Sequence, residues 1–159
     1  MADTVRVRVF DGNGRLVGPI DMPHVVKSDE EWRAQLTREQ YEIARGKGTE
    51  RPFCGTLLDN KRSGVYTCIC CRLPLFASNA KFNSGTGWPS FYEPLKGRIA
   101  TKRDYWLIVV RTEYHCIRCG GHQGHVFEDG PPPTGQRWCN NGVALKFVPE
   151  EEPLPQLRT

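Results

Sequence analysis

Most of the chemistry this sequence could perform rests on its seven cysteines. Four of them form two Cys-x-x-Cys pairs, Cys68 with Cys71 in "YTCICCRLP" and Cys116 with Cys119 in "YHCIRCGG". Each pair falls where a β-type run meets a turn, which aims two thiolates at one point. Two such knuckles supply four sulfurs in a tetrahedron. Zinc prefers that donor set, and a shell closed by four sulfurs is structural rather than catalytic. Either pair alone could be a thioredoxin-type redox motif, or the cysteines could be small buried hydrophobes. Neither alternative accounts for two matched pairs, so the expectation is one structural zinc ion pinning two hairpins together. Cys70, inside the first knuckle, reads as a small side chain at a strand position.

Two cysteines remain, Cys54 in "ERPFCGTLL" and Cys139 in "QRWCNNG". Cys139 stands in a β-type run beside Arg137, Trp138 and Asn141. A neighbouring guanidinium lowers a thiol pKa, and the thiolate is the nucleophilic form. Upstream, "HQGHVFEDG" sets His122 and His125 three residues apart, directly after the second knuckle. Histidines anchored there suit proton transfer near neutral pH. They could also serve as metal ligands or core residues, although four thiolates already complete a zinc shell and no third ligand for a second metal is evident. In "KFNSGTGWPSFYEP", glycines flank Thr86 and deliver Trp88. That indole is either ordinary packing or an aromatic wall for the apolar end of a substrate.

The elements that must position these residues are legible in outline. Residues 4–10, "TVRVRVF", alternate apolar and polar at a period of two, then pass through "DGNG" into "RLVGPI", a strand–turn–strand pattern. Ser28 with Glu31 and Thr37 with Gln40 are capping-box pairs, so two short helices or one broken helix are expected before the glycines at 46 and 48. From Tyr66 onward, short β-type runs ("GVYTCIC", "DYWLIVVRTEYHC", "GQRWCNN", "VALKFV") alternate with Gly- and Pro-rich loops, the pattern of a mainly β, antiparallel domain. The expected division is a strand extension over 1–27, a zinc-containing domain over 28–149 and a frayed, Pro-rich tail over 150–159.

With 38% hydrophobic and 25% charged residues the chain has an ordinary globular composition. A net charge of +4 is far below that of a dedicated nucleic-acid binder, so no nucleic-acid partner is expected. The N-terminus shows no secretory h-region, and the longest apolar run, "WLIVV", is too short to cross a bilayer. The expectation is a cytoplasmic protein with no membrane partner, where cysteines bind metal or do chemistry more often than they form structural disulfides.

From about Thr49 to Phe147 the order of motifs resembles the B-type methionine sulfoxide reductases, which act on methionine-R-sulfoxide. The matching features are the first CxxC before "PLF", then "SGTGWPSF", the second CxxC, "GHQGHVFEDGPPPTGQRWCNN" and "ALKF". The resemblance implies two antiparallel sheets forming a distorted open barrel with a structural four-cysteine zinc site. It implies that the Cys139 thiolate attacks the sulfoxide, with His122 and His125, and Asp129 nearby, binding and protonating the oxygen. Arg137 and Asn141 would support the thiolate, and Trp88 and Phe127 would contact the substrate. Many relatives carry a resolving cysteine in "SGCGWPSF", where this chain has Thr86. Cys54 occupies the alternative position, so the resemblance implies a Cys54–Cys139 disulfide reduced by thioredoxin or a similar dithiol, with Cys70 as the rival partner. Gln123 stands where a leucine is common, and Asn140 and Gly142 also depart from the family's usual residues. The contrasting reading is a zinc-stabilised binding module without chemistry, for which unpaired thiols at Cys54 and Cys139 would have no purpose.

Overall fold

The computed structural model describes residues 4–10, 16–23, 25–46, 48–49, 51, 57–95, 99–106 and 109–152. Cys54 and the last seven residues of the expected tail lie outside them. The elements in chain order begin with β1 (Thr4–Phe10), β2 (Leu16–Pro23), α1 (Asp29–Gln35), α2 (Arg38–Ala44), β3 (Gly64–Cys68) and β4 (Pro74–Ala77). There follow β5 (Lys81–Phe82), β6 (Ser90–Phe91), β7 (Ile99–Trp106), β8 (Val109–Cys116), β9 (His122–Phe127), β10 (Arg137–Asn140) and β11 (Leu145–Pro149).

All pairings are antiparallel, as expected. A six-stranded sheet runs β5-β6-β10-β9-β8-β7, a three-stranded sheet runs β11-β3-β4, and β1 pairs with β2 in a separate ribbon. No ladder among the described strands joins the two larger sheets, so the barrel is open. Both helices form where the capping boxes place them. Ser28 and Thr37 each accept a hydrogen bond from the N3 amide, and Glu31 and Gln40 reach back to the cap amide.

Two runs read as single strands divide differently. In "DYWLIVVRTEYHC" the chain reverses between Trp106 and Val109, which face each other across β7 and β8. The reversal carries no Gly, Pro or Asn to announce it. In "GVYTCIC" the strand stops at Cys68, and Cys70 sits in a turn rather than at a strand position. The knuckle requires this, because Cys68 and Cys71 converge only if the chain turns between them. Cys70 is fully buried there, its carbonyl accepting from Gln35 Nε2 at 2.6 Å.

The core lies between the two larger sheets. Tyr66 and Phe76 from the small sheet meet Phe91 from the large one, at 5.1 Å edge-on and 4.2 Å stacked. Tyr114 and Trp138 continue the chain of rings at 5.1 Å. Burying each such ring contributes roughly 1.5–3 kcal/mol. Trp138 matters most for function, because a strand alternates its side chains. With Trp138 and Asn140 facing the core, Cys139 between them must face the other way.

Candidate active site

β10 lies between β9 and β6, and this placement assembles the site. Cys139 is directly opposite His125 on one side and Ser90 on the other. The strands β9 and β10 approach closely at Gly124, where a Cβ would fall 1.9 Å from the Cys139 carbonyl oxygen. Any side chain there would push β10 away. Cys139 opens into a cavity of about 250 Å³ walled by Thr86, Trp88, His125, Phe127, Arg137 and Thr49. Gly124, Asn140 and Asn141 complete its lining.

Burial dominates the thiol. It holds the Cys139 pKa above the ordinary thiol value, while the Arg137 charge and hydrogen bonds from Thr86, Ser90 and Arg137 pull the other way without winning. The sequence-based expectation that the guanidinium lowers this pKa is therefore right for its own contribution and wrong for the balance. Desolvation of an anion in an apolar pocket outweighs one partly exposed cation. Arg137 is itself fixed: Nε and Nη2 donate to the two oxygens of Asp129 at 2.9 and 3.1 Å. Its guanidinium also lies 4.3 Å over the Phe127 ring. Asp129 is largely exposed at the rim, its carboxyl held below the usual range by Arg137.

The histidines separate into a front and a back. His125 lines the cavity, whereas His122 is only 4% exposed and stands behind it, the rings crossing edge-on at 5.6 Å. His122 Nδ1 is 3.8 Å from the buried Glu113 carboxylate. Asn141 is locked onto β9, its amide nitrogen donating to the Gln123 carbonyl at 2.9 Å.

The SelR domain matches residues 36–149 of this chain. The peptide methionine sulfoxide reductase MsrB of Hahella chejuensis is 56% identical over 127 residues, covering 79% of this chain and 91% of that protein. The protein of the same name from Methanosarcina barkeri is 57% identical over 129 residues, covering 80% and 91%. That of Pseudomonas putida is 54% identical over 131 residues, covering 82% and 98%. The chain belongs to the methionine-R-sulfoxide reductase family. A binding module without chemistry is thereby set aside, and the reductase is an oxidoreductase.

The reductase also carries the four-sulfur cluster. Cys68, Cys71, Cys116 and Cys119 are buried with their sulfurs all within 4.8 Å of one another. The Cys68–Cys119 and Cys71–Cys116 separations are both 3.6 Å. Four sulfurs at about 2.3 Å from a zinc-sized ion would stand about 3.8 Å apart, so the donors fit a tetrahedral metal. The knuckle turns match bond for bond: Arg72 N donates to Cys68 O, and Gly120 N donates to Cys116 O. Gly120 takes φ +74° without cost, whereas Arg72 holds φ 67° as a non-glycine residue. Gly121 N and Gln123 Nε2 point at the Cys119 and Cys68 sulfurs, at 3.4 and 3.5 Å, as donors to bound thiolates do.

Among the expected site residues, the cavity wall thus unites Cys139, His125, Arg137, Asn141, Trp88 and Phe127. His122 and Asp129 stand one residue back, and Cys54 is outside the described residues. Sequence reasoning missed Thr49, Ser90 and Glu113, and assigned Thr86 no part. Glu113 left one signal, a carboxylate beside Tyr114 inside a β-run bound for the interior. Thr86 and Ser90 left none, since hydroxyls in a Gly-rich loop read as turn residues.

Proposed function

We propose that this peptide-methionine (R)-S-oxide reductase works through Cys139 as nucleophile, Cys54 as resolving thiol and the His122–His125 pair as proton source. The observation that carries the reading is the direct register of Cys139 with His125 across two strands, with Arg137 on the same wall. The Cys139 thiolate bonds to the sulfoxide sulfur while the oxygen takes up protons and leaves as water. Water then adds at Cys139 and releases the thioether, giving a sulfenic acid and methionine. In sum, one thiol and one sulfoxide become one sulfenic acid and one thioether. His125 delivers protons from the wall, and His122, backed by Glu113, holds that imidazole in place. Trp88 and Phe127 would receive the methyl and methylene groups, and Asn141 and the Asp129–Arg137 pair would fix the walls.

The Cys54 thiol attacks the sulfenic sulfur, expels water and leaves a Cys54–Cys139 disulfide, which thioredoxin or a similar dithiol reduces by exchange. The four-cysteine cluster would hold zinc, which supplies no step and ties the sheets together. The catalytic unit is taken as residues 28–149, with 1–27 an appended ribbon, a division supported by the SelR match over 36–149. Incubation with a mixture of methionine sulfoxide epimers and dithiothreitol tests the activity, and loss of the S epimer alone would sink it. Cys54→Ser should keep dithiothreitol-driven turnover and lose most thioredoxin-driven turnover. Mass spectrometry after substrate treatment should find Cys54 linked to Cys139, and a Cys70–Cys139 peptide would reassign the resolver.

A further inference from the structure

A second, larger cavity adjoins the Cys139 pocket. Its volume is about 720 Å³, and its wall includes Lys61, Arg62, Lys81, Asp59, Gly85 and Gly87. The last two decide where it lies. Thr86 and Trp88 line the Cys139 pocket, while Gly85 and Gly87 of the same loop line this one. Alternate residues of one backbone therefore face two cavities, and a single loop thickness separates them.

Its charge is positive on balance: Lys61, Arg62 and Lys81 line it with one carboxylate, Asp59, and a second, Glu151, pairs with Arg62. Lys61 is exposed at the mouth. Lys81 is half-buried, its ammonium donating to the Leu58 carbonyl at 2.7 Å. Burial pulls its pKa down, the Asp59 charge opposing that shift and the Lys61 charge adding to it. Arg62 already accepts a carboxylate: its Nη2 lies 2.5 Å from Glu151 of the same chain.

We propose that this cavity receives the polypeptide flanking an oxidised methionine and selects acidic side chains in it. The inference rests on the reading of the Cys139 pocket as the sulfoxide site, and it names the substrate class of that site. An extended peptide advances about 3.3 Å per residue. With the sulfoxide on Cys139, residues two to four positions away, a span of about 7–13 Å, would cross the 85–88 loop towards the cationic wall. Free methionine sulfoxide, which has no such residues, gains nothing from it.

The test uses the full chain with dithiothreitol and blocked peptides of equal length, each holding one methionine-R-sulfoxide. Glu or Lys occupies the second to fourth positions on either side, and N-acetyl-methionine-R-sulfoxide amide serves as the minimal substrate. At low salt the Glu peptides should exceed the Lys peptides in kcat/KM by about tenfold, mainly through KM, and high salt should shrink the ratio. Lys61→Glu, an exposed substitution, should bring the ratio to about threefold or less. Equal values for Glu and Lys peptides, or a Lys preference, would overturn the subsite while reduction of the minimal substrate left the Cys139 reading intact. Failure to reduce even the minimal substrate would overturn that reading, and the subsite with it.

Discussion

At Cys139 the structure sets burial against four stabilising contacts, and burial prevails. Thr86 supplies one of those contacts in the loop position where many relatives carry a cysteine, so here a hydroxyl takes the place of a thiol. It belongs to a small chain of hydroxyls: Ser84 Oγ lies 2.8 Å from both Thr86 Oγ1 and Ser90 Oγ. Ser90 also has the Trp88 carbonyl as an acceptor at 3.1 Å, so its proton has somewhere to go when Cys139 is a neutral thiol. Because these hydroxyls favour the anion, removing one must raise the thiol pKa further. Thr86→Val should lower Cys139 alkylation by iodoacetamide at neutral pH by about threefold to tenfold, since one pKa unit is a tenfold change in thiolate. Thr86→Ser should stay near wild type. In the wild type the alkylation rate should rise with pH through a midpoint above the ordinary thiol value. A midpoint below that value would contradict the balance in which burial dominates. The groups around this sulfur are His125 from β9, Arg137 from β10 with its partner Asp129, and the Thr86 and Ser90 hydroxyls, while Tyr114 lies on the core side of the sheet. Cys139, His125 and Arg137 could be read from residue type and spacing. The hydroxyl chain could not, because only the loop's folding brings 84, 86 and 90 to one point.

At the scale of elements, β9 and β10 share more than backbone hydrogen bonds. Gln123 and Asn140, two departures from the family's usual residues, turn out to be partners: Asn140 Nδ2 donates to Gln123 Oε1 at 3.1 Å. Asn140 also accepts from the Tyr114 hydroxyl at 2.7 Å, while Gln123 Nε2 points to the Cys68 sulfur. A buried polar chain therefore runs from the four-cysteine cluster to the strand that carries Cys139. The sequence showed the two departures separately but not their pairing, since the residues are 17 apart and meet only through strand register. Gln123→Leu alone leaves Asn140 short of an acceptor in the core, a loss of about 1–3 kcal/mol in denaturant unfolding. Asn140→Val alone takes the donor from Gln123 Oε1 and the acceptor from the Tyr114 hydroxyl, at similar cost. The double variant should lose less than the two losses added, by at least about 0.5 kcal/mol. Strict additivity would mean that the pair is not coupled. The same contrast explains the strand boundaries. Capping boxes are local and were legible, whereas the reversal between Trp106 and Val109 is set by pairing across β7 and β8.

For the whole molecule, the four-sulfur cluster holds together parts that pair nowhere else among the described strands. Cys68 ends β3 and Cys71 precedes β4 in the small sheet, while Cys116 ends β8 and Cys119 precedes β9 in the large one. The helices rest on the same knuckles. Gln35 at the end of α1 donates to the Cys70 carbonyl, and Arg45 at the end of α2 donates to the Cys119 carbonyl at 2.9 Å while stacking 4.3 Å over Trp32. Burial pushes the Cys116 thiol well up and hydrogen bonding with Cys116 pushes Cys68 up, while Cys119, collecting the hydrogen bonds of Cys116 and the others, is held well down. A metal ion held by the four sulfurs would displace their thiol protons, and its binding free energy would become folding free energy. Stripping the metal with a strong chelator should therefore lower Tm by more than about 10 °C, since each kcal/mol is worth about 2–4 °C in a chain of this size. Amide exchange should rise first in α1, α2 and the two knuckle turns, and only afterwards in β9 and β10. If Tm and the α1–α2 exchange were unchanged after verified metal loss, the ring core alone would be holding the sheets, and the cluster would have to be given some other role.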